Sequence, residues 1–100
     1  MIVLFPGLRT QAAIDAIMAG GQVLEEWDKS YTYGPGAPTC FRGKNFVKLY
    51  DNDTDRLMAT ARRLGVRVIH VDRRGEPGAQ HIDLVGQPMR RAIREAILAQ

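Results

Sequence analysis

Cysteine and serine are nearly absent from this sequence: Cys40 and Ser30 stand alone. A lone cysteine excludes an internal disulfide and fits a reducing compartment. A lone serine outside any G-x-S-x-G turn excludes a nucleophile elbow. Histidine is scarce too. His70 and His81, with Cys40 far away, lack the clustered spacing of zinc sites, so no metal is expected. No cofactor is expected either. Gly34-Pro35-Gly36 lacks the Lys-Ser/Thr of a phosphate loop. There is no long hydrophobic run. The opening MIVLFPG has no basic flank and is too short for a signal peptide or a membrane span. The expectation is a soluble, cytoplasmic chain without a membrane partner.

What is present is enough for one core. At 100 residues and 45% apolar, the chain reads as a single domain over 1–100, without repeat, low-complexity tract or linker. The net charge is +3 but unevenly placed. Residues 1–61 carry six Lys/Arg against seven Asp/Glu, whereas residues 62–100 carry eight arginines against four acids. Arginine suits bidentate phosphate contacts. The second part is therefore either a polyanion-binding face or an ordinary solvated one.

Met1 to Phe5, closed by Pro6-Gly7, reads as a buried strand. Thr10 caps a helix whose face holds Ala13, Ile14, Ile17 and Met18 and which Gly20-Gly21 breaks. Val23, Leu24 and Trp27 extend an apolar face, which predicts a second helical piece. Asn45 to Tyr50 alternates as a strand, and Asn52 or Asp53 caps a helix with Leu57, Met58, Ala61 and Leu64 on its buried stripe before Gly65. Val66–Val71 and Ile82–Val85 read as strands. Pro88 opens a last helix with Met89, Ile93, Ala96 and Ile97 on one face. The order β-α-α-β-α-β-β-α predicts an α/β fold, a three-layer α/β/α sandwich with a four-stranded mixed sheet.

Two stretches bear on function. Residues 28–44 are rich in glycine and proline, and they interleave Tyr31, Tyr33 and Phe41 with Lys29, Arg42 and Lys44. Such a loop can hold nucleotides or can simply tack itself to a core. Asp72 lies at the carboxyl end of a predicted strand, where α/β folds place binding and catalytic groups, and Arg73 and Arg74 follow it. It reads either as a site residue or as an aspartate that begins a turn. His70 flanked by Ile69 and Val71 reads as a strand residue. His81 reads as structural or as a neighbour of Asp83.

"FVKLYDNDTDRLMATARRLGVRVIHVD" (residues 46–72), "LVGQPMRRAIREAI" (84–97) and "LEEW" (24–27) together resemble the peptidyl-tRNA hydrolase family of the archaeal and eukaryotic type. The resemblance implies a functional aspartate at Asp72. It also implies that Gln11 takes the place of the family's catalytic glutamine, with Arg9 the nearest base to the family's lysine. The family's Lys, His and Thr have no counterpart here, and loop 28–44 is an insertion. The implied activity is hydrolysis of the ester between a peptide and the ribose of tRNA. Asp72 and Gln11 would be catalytic, and Arg9, Arg73, Arg74 and Lys44 would hold the substrate. The alternative is a non-enzymatic module on the same fold that binds tRNA, another RNA or a protein. A homodimer is left open.

Overall fold

A computed structural model describes residues 1–6, 10–26 and 45–99, apart from the side chain of Glu26. Arg9, Lys44, Trp27 and the aromatic loop 28–44 lie outside the described residues. The elements are β1 (Ile2–Pro6), α1 (Gln11–Met18), β2 (Gln22–Glu26), β3 (Val47–Tyr50), α2 (Thr54–Leu64), β4 (His81–Leu84), α3 (Gly86–Glu95) and β5 (Ile97–Leu98). They make an α/β fold with one five-stranded mixed sheet in the order β4-β3-β2-β1-β5. β1 runs parallel to β2 and β5, and the β2–β3 and β3–β4 pairs are antiparallel. No helix among the described residues is long and apolar enough to cross a membrane.

Both long-range halves of the core follow from strand alternation, which sends successive side chains to opposite faces. Leu24, Leu49, Ile82 and Leu84 cluster with Leu57, Ala61 and Leu64 of α2 and with Ala92 of α3. Val23 and Tyr50, one position along from Leu24 and Leu49, cluster instead with Ala13 and Ile17 of α1. The helix ends follow local chemistry. Thr10 Oγ1 accepts from the Ala13 amide at 3.2 Å to start α1. Asp53, rather than Asn52, caps α2, its Oδ1 accepting from the Arg56 amide at 3.0 Å, and Gly65 stops the helix at φ 101°.

Three expectations need correction. Residues 23–27 are not a second helix: Gln22–Glu26 is the middle strand of the sheet. It is buried on both faces, Gln22 and Glu25 included, so the polar/apolar alternation that marks a half-exposed strand is missing. Residues 66–71 are not a strand. Val66, Ile69 and Val71 pack on the core while Val68 is 86% exposed, and among the described residues the only ladder contact nearby is an isolated antiparallel bridge between Asp72 and His81. β-branched composition reports a side chain's fit to a half-buried surface, and here packing alone supplies that fit. The last helix ends at Glu95. Ala96 turns extended, and Ile97–Leu98 returns beside β1 as a fifth strand, with the Ala99 amide donating to the Leu4 carbonyl at 2.8 Å. The sheet thus has five strands, not four, having gained β2 and β5 and lost 66–71. Pro88 sits in the first turn of α3, where a missing N–H costs nothing. Ala92, not Ile93, is its buried residue.

Candidate functional site

The site is assembled by register. In the antiparallel pairs Lys48 lies opposite both Glu25 and Asp83, and Tyr50 lies opposite both Val23 and His81. Directly opposed residues share a face. Two rows therefore cross the α1 side of the sheet: Glu25, Lys48, Asp83, and beside it Val23, Tyr50, His81. The Asp72–His81 bridge adds Asp72 to the end of the second row. The two residues exchange both backbone hydrogen bonds, at 2.8 and 3.1 Å.

The connection from Asp72 to His81 is tightly held. Arg73 (φ 52°), Gly75 (φ 81°) and Gly78 (φ 75°) take left-handed conformations. The buried Gln80 side chain accepts from the Gly75 amide at 2.9 Å and from Thr54 Oγ1 at 3.0 Å, and it donates to the Asp51 carbonyl at 2.8 Å. The Gly78 amide donates to Asn52 Oδ1 at 2.7 Å. The stretch is a turn, as its glycines imply, and it is also the element that fixes Asp72 against β4.

His81 is the centre of the cluster, with its side chain only 7% exposed. Nδ1 lies 2.8 Å from the Ala79 carbonyl oxygen and can only donate to it. In the neutral ring the lone pair is then on Nε2. Nε2 stands 3.7 Å from Asp72 Oδ2 and 3.5 Å from Asp83 Oδ1. The Tyr50 ring packs on the imidazole with centroids 5.1 Å apart. The other oxygen of Asp72, Oδ1, lies 3.1 Å from Nε2 of the exposed His70.

Of the residues singled out in the sequence, Asp72 sits in this cluster at 34% side-chain exposure, reachable from solvent. Arg73 and Arg74 follow it on the surface. Arg73 Nε donates to Glu76 Oε2 at 2.8 Å. Gln11 is not brought in: it is exposed at the start of α1, and its amide donates to Asp15 Oδ1 at 2.9 Å. Arg9 and Lys44 lie outside the described residues. The sequence reading did not single out Glu25 and Lys48; it did offer His81 as a neighbour of Asp83, and the two lie 3.5 Å apart, Nε2 to Oδ1. A further signal for this pair is in the sequence. His70-Val71-Asp72 and His81-Ile82-Asp83 are two copies of His-x-Asp, a period-two pattern that puts both members on one face of an extended chain. What the sequence hides is that the bridge sets the two copies side by side. Compared with known protein families, with curated proteins and with solved structures, the chain matches none.

Proposed function

We propose that this chain is a cytoplasmic peptidyl-tRNA hydrolase-like protein on a three-layer α/β/α sandwich, acting on the ester between a peptide and the ribose of tRNA. The observation that carries the reading is Asp72 at 3.1 Å from an exposed imidazole, that of His70, with Arg73 and Arg74 next in the chain. An Asp72 carboxylate that accepts from His70 Nε2–H leaves the lone pair on Nδ1 of a ring whose side chain is 82% exposed. That nitrogen can take a proton from water as the water attacks the ester carbonyl. The ribose oxygen leaves and takes a proton in turn. The guanidinium groups of Arg73 and Arg74 offset the charge that develops on the carbonyl oxygen, or they hold the neighbouring phosphates. The sequence likeness contributes through β3–α2 and β4–α3. It does not contribute through residues 24–26 of LEEW, which lie in β2, or through 66–71, which form no ladder.

The test is hydrolysis of peptidyl-tRNA by the purified chain. Asp72→Asn and His70→Ala should each lower turnover on the order of a hundredfold, the usual worth of a positioned general base. Turnover that survives both substitutions would sink the assignment. A second reading, an RNA-binding module without chemistry, is favoured by one specific observation: all eight arginines of residues 62–100 are exposed. It predicts tRNA binding by the parent chain with no turnover, and the same binding by Asp72→Asn.

A further inference from the structure

We propose that Asp72, His81 and Asp83 bind a divalent transition-metal ion of the Zn2+ or Mn2+ kind, through Asp72 Oδ2, His81 Nε2 and Asp83 Oδ1. The ligating atoms of these three residues all lie within 4.8 Å of one another.

The first argument is distance. Nε2 to the two carboxylate oxygens measures 3.7 and 3.5 Å, longer than good N–H···O hydrogen bonds of about 2.7–3.2 Å. Ligands held about 2.0–2.2 Å from a tetrahedral ion are about 3.4 Å apart, so the spacing is that of atoms sharing a cation rather than a hydrogen. The second argument is the imidazole's orientation. His81 is almost fully buried, and Nδ1 donates to the Ala79 carbonyl. A metal-binding histidine is typically fixed in this way, its second nitrogen tied to a carbonyl or carboxylate so that the first presents its lone pair. The Ala79 carbonyl belongs to the turn that Gln80 and Asn52 lock in place, so the orientation is built into the fold.

The third argument is the donor set, one imidazole and two carboxylates brought together by the bridge and by β4. His70 on the far oxygen of Asp72 supplies the outer contact that orients a ligating carboxylate. One imidazole with two carboxylates suits borderline ions such as Zn2+ and Mn2+ better than thiolate-seeking Cu(I). The sequence shows no zinc-like spacing because the ligands come from two segments joined by a single bridge pair.

The site stands whether or not the protein hydrolyses an ester, so its test uses no tRNA. The full chain, stripped with a chelator, is titrated calorimetrically with Zn2+ alone and with Mn2+ alone. The expected result is saturation at one ion per chain, with a rise in Tm. Losing an outer contact of a metal site costs about 10–100-fold in affinity, so losing a direct ligand should cost at least about tenfold. Asp83→Asn and the more exposed Asp72→Asn should each do so, while Glu76→Gln binds like the parent. Circular dichroism confirms that each variant is folded. In 15N spectra the His81 Nε2 resonance should move on Zn2+ addition and Nδ1 should keep its hydrogen. The proposal is overturned if neither ion saturates, if both aspartate variants bind like the parent, or if Nε2 carries a hydrogen with the ion present.

Discussion

Asp51 is fully buried, and its carboxylate accepts four hydrogen bonds. Gln22 Nε2 donates to Oδ2 at 2.9 Å, the Asp53 amide to Oδ1 at 2.9 Å, and Arg56 gives a bidentate pair at 2.7 Å. The same contact raises the pKa of Arg56, with hydrogen bonding to Asp51 the largest cause. Asp51→Ala would leave the buried Gln22 amide with only Thr60 Oγ1 to donate to and would take the carboxylate from Arg56, which keeps the Gly20 carbonyl. Arg56 is 45% exposed and can be rehydrated, so the cost should sit near the low end of the range for a broken buried pair, about 3 kcal/mol. Urea unfolding measures it, and an unchanged midpoint would refute the role. Asp51, Asn52 and Asp53 also show what a sequence discloses at this scale. A cap at Asn52 or Asp53 was legible because a cap's partner lies three residues on, and the structure gives the place to Asp53. The bonds of Asn52 to Gly78 and of Asp51 to Gln22, 29 residues away, were not, because those partners are set by the sheet.

At the scale of elements, α1 and α2 were legible from their caps, stripes and stopping glycines, all local signals. β2 was misread because burial on both faces erased its alternation, and the 23, 24, 27 spacing happens to mimic a helix. Residues 66–71 were misread for the opposite reason: good strand composition without a partner strand. The joint between α2 and α3 is testable. Arg63 clamps Glu95 with two hydrogen bonds at 2.6 and 2.8 Å and holds its carboxyl below the usual carboxylate range, chiefly through those bonds. A carboxylate lowered in the folded state stabilises the fold fully above its unfolded pKa and loses that contribution as pH falls through the lowered value. Glu95 is 38% exposed, so solvent screens the pair and its worth is about 0.5 kcal/mol. Parent and Glu95→Gln should therefore differ by about that much at neutral pH and converge in acid. Unfolding curves in low salt read the difference, and a gap that persists in acid would exclude the clamp.

At the scale of the whole molecule, charge and sheet face separate the two halves of any function. The polar rows and Asp72 lie on the α1 side of the sheet, while α2 and α3, which carry five of the eight exposed arginines, pack on the other. The charge bias was legible from composition; its full exposure and its division between faces were not, because both depend on how the strands order in space. Arg63 and Arg73 are paired with Glu95 and Glu76. The other arginines of residues 62–100 are therefore the first from which phosphate contacts would be drawn, Arg73 joining Arg74 only by giving up Glu76. Counterion release makes such binding steep in salt. Four phosphate contacts would lose about a hundredfold in affinity between roughly 50 and 200 mM salt. Arg74→Ala should lower the slope of log affinity against log salt by about one if that residue meets a phosphate, without changing preference among RNA sequences. Filter binding of tRNA across a salt series measures both. A flat salt response would remove RNA from consideration and leave the arginine faces as solvated surface, with the Asp72–His81–Asp83 cluster still to be explained by its own ligand.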